Sequence, residues 1–116
     1  MIVQRGTSIL GEQFSDIEVR GESGLVEARL QGGVLEITYM EGRDVIFQIA
    51  QIQTWLGRAA FDVIRGYATD ELAQKMEVPG YLRRFAGLVS ARLGENWSAQ
   101  TVKEGAKTWL IFTKGT

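Results

Sequence analysis

Three segments with helical apolar spacing, followed at once by two strand-like runs, fill the second half of this 116-residue chain. That order restricts the fold more than any other feature of the sequence. The first segment, Ile49 to Tyr67, places Ile49, Ile52, Leu56, Ala59, Ala60, Val63, Ile64 and Tyr67 on one continuous stripe at three- and four-residue spacing. Gly57 weakens such a helix by about 1 kcal/mol against alanine, and Gly66 suits its stop. Thr69 is a predicted N-cap for a short second helix to Met76, with Asp70 and Glu71 in the turn where the helix dipole favours negative charge. Glu77-Val78-Pro79-Gly80, which contains the single proline, then breaks the chain. The third helix, Tyr81 to Leu93, has Leu82, Phe85, Ala86, Val89 and Leu93 as its core face. Its opposite face holds Arg83, Arg84, Gly87, Ser90 and Ala91. Gly94 sits where a C-terminal glycine cap belongs. Trp97 to Lys103 and Lys107 to Phe112 are expected to pair across Glu104-Gly105-Ala106, with Leu110 and Phe112 on one face and Trp109 and Ile111 on the other.

The first half alternates instead. Ser15 to Arg20, Leu25 to Gln31 and Val34 to Met40 read as strands separated by Gly21-Glu22-Ser23-Gly24 and Gln31-Gly32-Gly33, an antiparallel meander. Leu35, Ile37 and Tyr39 are expected on one face. Glu41-Gly42-Arg43-Asp44 reads as a further turn, and Val45 to Phe47 as the start of a fourth apolar run. Ile2-Val3 and Ile9-Leu10 form an edge strand in this reading, with Gly6 and Gly11 as breaks. A meander with one apolar face must cover it, and the first helix is the nearest element able to do so.

Composition removes several kinds of chemistry. The chain has no cysteine and no histidine, so a Ser-His-Asp triad, a thiolate nucleophile and the usual zinc ligand sets are excluded. The glycine pairs at 21/24 and 32/33 fit hairpin turns and are not followed by a helix, so neither a P-loop nor a dinucleotide pattern is met. Glu18 with Glu27 or Glu36 could meet across strands, but acids opposite arginines read as surface charge. Trp55, Trp97 and Trp109 read as packing residues before base-stacking ones. No catalytic residue, metal or cofactor is expected. No apolar run approaches the roughly 20 residues that span a bilayer, and Met1 to Arg5 lacks a signal-peptide core, so the cytosol is the expected location.

Net charge is −1, yet it is unevenly placed. Residues 1–57 carry −4, whereas residues 78–116 carry +4. The cationic stretch coincides with the third helix and the strand pair.

The stretch TDELAQKMEVPGYLRRFAGLVSARLGENW, followed by SAQTVKEGAKTWLIFTKG, resembles the winged helix-turn-helix superfamily over residues 49–116. Joined to the meander read from alternation, the resemblance gives an expected α+β protein: an antiparallel β-meander (1–48) packed on a three-helix winged-helix-like unit (49–116) with a C-terminal β-hairpin, the two together forming one domain. It also implies a third helix in the DNA major groove and a wing on the backbone. Arg83, Arg84, Gly87, Ser90, Lys103 and Lys107 are then the nucleic-acid contacts. The functional expectation is a non-enzymatic binder of double-stranded DNA, a small regulator whose meander dimerises or buttresses the fold. The alternative is a protein–protein interaction module or assembly subunit, an inhibitor included, that works through the acidic N-terminal sheet.

Overall fold

The structure, a computed structural model, describes residues 2–9, 12–22 and 24–115. Alternation in the first half yields β1 (Ile2–Ile9), β2 (Glu12–Gly21), β3 (Gly24–Gln31) and β4 (Val34–Gly42), paired antiparallel in sequence order. β1 is an edge strand as read, but Gly6 lies within it and does not break it; Leu10 and Gly11 fall outside the described residues. The meander reading holds, with one displacement. A β-bulge at Thr38 makes Glu27 face Tyr39 and Ala28 face Ile37, and the Thr38 hydroxyl donates to the Glu27 carbonyl. The extra residue moves Tyr39 to the face opposite Leu35 and Ile37, where it is exposed.

The run Val45 to Phe47 is not a strand. It opens α1 (Val45–Leu56), because the Asp44 carboxylate accepts the Phe47 amide at 3.0 Å and caps the helix. Nor does a single helix span Ile49 to Tyr67. Gly57, at φ +100°, ends α1, and residues 63–68 form β5 (Val63–Ala68) with Gly66 inside it. The physical reason is pairing. β5 runs parallel to β4, with Leu35 beside Ile64, and antiparallel to a later strand, with Ile64 beside Phe112. Two ladders outweigh a stripe of moderate helical propensity. Parallel neighbours need a crossover, and α1 supplies it.

α2 (Asp70–Met76) starts at Thr69, whose hydroxyl accepts from Leu72 N–H. α3 (Tyr81–Leu93) ends at Gly94, at φ +76°. β6 (Trp97–Glu104) and β7 (Lys107–Lys114) form the expected hairpin. This hairpin joins the main sheet through β7, and the strand order is β1-β2-β3-β4-β5-β7-β6. Among the described residues the chain is thus three helices and one seven-stranded mixed sheet, an α+β fold.

α1 lies over β2, β3 and β4, α3 lies over β6, and the two helices touch. Beneath them runs an apolar row across five strands: Leu30, Leu35, Ile64, Phe112 and Ala99 stand side by side in register. Ala86, Val89 and Leu93 of α3 are buried on it, with Leu82 and Phe85 half-buried. Phe61 is also buried, although it falls off the helical stripe read from the sequence. It sits in the loop after α1 and reaches Trp97 at a ring-centroid distance of 6.3 Å.

Candidate interaction surfaces

Three surfaces follow from this architecture. The first is the cationic end set by α3 and the hairpin. Arg83, Arg84 and Gly87 are exposed on the outer side of α3, and a side chain added at Gly87 would meet nothing within 4 Å. Ser90 is placed differently. It is half-buried, accepts the Trp97 N–H at 2.9 Å and donates to the Ala86 carbonyl at 2.8 Å. Its hydroxyl therefore latches the end of α3 to the start of β6. The two lysines also part company. Strand alternation puts Lys103 on the helix side, where it lines a cleft of about 290 Å³ with Asp70, Gln74 and Glu77. Lys107 lies on the other side, its ammonium 4.6 Å from the Tyr67 ring centre. Arg83, Arg84 and Gly87 thus share one helix face, whereas Ser90 is committed to the fold and the lysines straddle the hairpin.

The second surface is the sheet face turned away from the helices. Asp16, Arg29, Glu36 and Arg65 stand in one cross-strand row. Arg29 donates to Asp16 at 3.0 Å and Arg65 to Glu36 at 3.1 Å; Arg20 reaches Glu18 at 3.4 Å. Each such solvated pair contributes about 0–1 kcal/mol, and together they offset Asp16, Glu18 and Glu36 but not Glu27 or Glu41, which stand in none of these ion pairs. Glu18 does stand opposite Glu27, whereas Glu36 pairs with arginine. Tyr39 donates to Glu41 at 2.7 Å, and that hydrogen bond, with the carboxylate charge behind it, raises the phenol above its ordinary value. Toward β7, Tyr67 and Trp109 stack at 3.8 Å. Arg65 lies 5.1 Å from the Trp109 ring centre, and the Trp109 indole donates to Glu104 at 2.7 Å. Cations flank the stacked rings on both sides, so Trp109 is a packing residue here, as is the buried Trp97. The sheet face thus pairs three of its carboxylates with arginines and leaves Glu27 and Glu41 outside those pairs.

The third surface was not singled out from the sequence. α1, VIFQIAQIQTWL, contains no charged residue in twelve positions. Its inner side buries Gln48, Ile52 and Gln53. On its outer side Phe47 is 43% exposed and Trp55 59% exposed, and Gln51 and Thr54 lie between them, also exposed. With Ile2 of β1 and Ala50 they line a groove of about 500 Å³. The absence of Asp, Glu, Lys and Arg from residues 45–56 was the legible signal; solvent-exposed helices ordinarily carry such residues. Charge lies beside this face: Arg92 reaches Asp44 at 3.5 Å and stands 6.0 Å from the Phe47 ring centre, Arg20 and Glu22 share a cleft with Gln51, and Arg58 reaches Glu95 at 4.0 Å.

Among the described residues no helix is long and apolar enough to cross a membrane. The chain matches no family model, no curated protein and no solved structure.

Proposed function

We propose that this chain is a non-enzymatic protein–protein interaction module whose docking surface is the outer face of α1. One observation carries the reading. Phe47 and Trp55 are exposed around an uncharged Gln51/Thr54 centre beside a groove, while the sheet face pairs three of its carboxylates with arginines. Interface cores are depleted in charge and enriched in large aromatic residues. The lack of histidine and cysteine supports the non-enzymatic part. A photo-crosslinking residue at Gln51, introduced in the source cells, is expected to give a covalent protein adduct. The same residue at Thr113, exposed on the paired sheet face, is expected to give none. No adduct at Gln51 would sink the reading.

A second reading is the winged-helix-like binder of double-stranded DNA. It is supported by where the cations without carboxylate partners lie. Among the described side chains, the bases outside the ion pairs are Arg43, Arg83, Arg84, Lys103 and Lys107. Four of these five are the residues named from the sequence. Titration of a labelled random duplex by fluorescence anisotropy at about 50 and 200 mM salt tests it. About four phosphate contacts give a log–log slope near −3.6, and Arg83→Ala with Arg84→Ala is expected to remove binding with the fold intact. No binding at low salt ends this reading.

A further inference from the structure

Resting on the protein-interaction reading, we propose that the partner of the α1 face is a second copy of this chain. The two α1 helices pair antiparallel across a two-fold axis that passes beside Gln51.

The residue pattern on the exposed face has the symmetry that such an axis demands. Phe47, Gln51 and Trp55 are spaced i, i+4, i+8, so they form one row along the helix. Gln51 is its midpoint and lies next to the midpoint of α1 itself. In an antiparallel pair Gln51 faces Gln51 of the other copy, and Phe47 of each copy faces Trp55 of the other. An isologous contact brings every residue near the axis against its own counterpart, so the central residue must be compatible with itself. A carboxamide meets that condition, because it carries both a donor and an acceptor and two of them can bond reciprocally. A charged residue does not. Of the three helices only α1 is free of charge, since α2 carries Asp70, Glu71 and Lys75 and α3 carries Arg83, Arg84 and Arg92. The flanking aromatic pairs supply apolar area with the offset or tilted geometry that such rings prefer.

The helix dipole points to the same arrangement. α1 has no acidic residue in its first turn and no basic residue in its last, so the Asp44 carboxylate at its N-cap offsets the N-terminal end of the dipole while no residue of the helix offsets the C-terminal end. Antiparallel pairing sets each N-terminal end beside the C-terminal end of the other copy. Near the helix ends Asp44 pairs with Arg92, and Glu95 with both Arg58 and Lys114, while Arg43 lies outside the described ion pairs; a net charge of −1 per copy opposes association weakly. A face of about four side chains and a groove is at the small end of specific interfaces. The dimer is therefore expected to be concentration-dependent, with Kd in roughly the micromolar range.

Sedimentation velocity of the purified full chain, from about 1 to 200 μM, reads the outcome directly. The mass is expected to rise with concentration from 12.9 kDa toward twice that value. Gln51→Arg and Gln51→Glu each place like charges at the axis and are expected to remain at the single-chain mass throughout. A one-to-one mixture of the two variants is expected to regain the doubled mass. Gln51 is exposed, so both variants are expected to keep the wild-type circular dichroism spectrum and unfolding midpoint; Thr54→Arg is the second probe of the same face. A wild-type protein that stays at 12.9 kDa overturns the second-copy assignment. So does self-association that both Gln51 variants retain separately. In either case the broader reading is judged by the crosslink at Gln51: an adduct of another mass upholds a different protein partner, and no adduct removes both.

Discussion

Phe61→Ala is expected to lower the folding free energy by about 3 to 5 kcal/mol, the range for truncating a buried phenylalanine. Phe61 is 1% exposed and belongs to the main core cluster. Its neighbours leave the loop little room to collapse into the cavity. Asp62 N–H donates to the Gly33 carbonyl at 2.9 Å, and Lys114 N–H donates to the Asp62 carbonyl at 2.8 Å. The backbone beside the lost ring is thus held by the β3–β4 turn and by β7. Urea unfolding measures the effect, as a fall in midpoint at unchanged slope. A loss below about 1 kcal/mol would mean that the loop between α1 and β5 is not docked on Trp97.

Gly24→Ala is expected to cost about 3 kcal/mol, from backbone strain together with overpacking. Gly24 has φ +139°, which side chains rarely adopt, and a methyl group there would lie 2.1 Å from the Glu41 carbonyl oxygen. That obstacle is backbone, so relief requires β3 and β4 to separate where Gly24 faces Gly42. The Gly24 carbonyl also accepts the buried Gln48 amide at 2.6 Å, so a shift there loosens the anchor of α1 on the meander. Gly32→Ala is the control. Its φ of +55° is left-handed but its surroundings are open, so only the conformational cost of about 1 kcal/mol remains. Comparable losses in the two variants would refute the steric argument.

The elements readable in advance were those decided by local chemistry. Thr69 and Gly94 bound their helices as read because a cap needs only residues within one turn. The β6–β7 hairpin formed about Gly105, at φ +62°. Residues 63–68 were misread because Val63, Ile64 and Tyr67 satisfy two periods at once. They fit a helical stripe, and they also fit a strand with Ile64 and Gly66 turned inward and Arg65 and Tyr67 outward. The choice is made by β4 and β7, which lie far away along the chain. Phe61 was missed for the same reason, since the stripe continued past a glycine that ends the helix. Tyr39 was assigned to the wrong face by one inserted residue, which alternation alone does not reveal. For the candidate surface, the lack of charge in residues 45–56 was visible, but its exposure depends on α3 and the sheet leaving that side uncovered. Ser90 looked outward on a helical wheel because the wheel does not contain the β6 backbone it bonds.

The parallel seating of β5 has a consequence for assembly of the chain in time. β5 takes one neighbour from the segment before it and one from the segment after it. As the polypeptide emerges N-terminus first, the four-strand meander and α1 can gather around their own apolar residues, but β4 keeps an unsatisfied flank until β5 arrives. β5 in turn keeps one until β7 does, some 40 residues later. Because loop-closure entropy is lost before distant contacts form, the central seam is the last part of the sheet to close. The boundary drawn between residues 48 and 49 falls inside α1. Each half, on its own, would present an open strand flank to any other chain nearby.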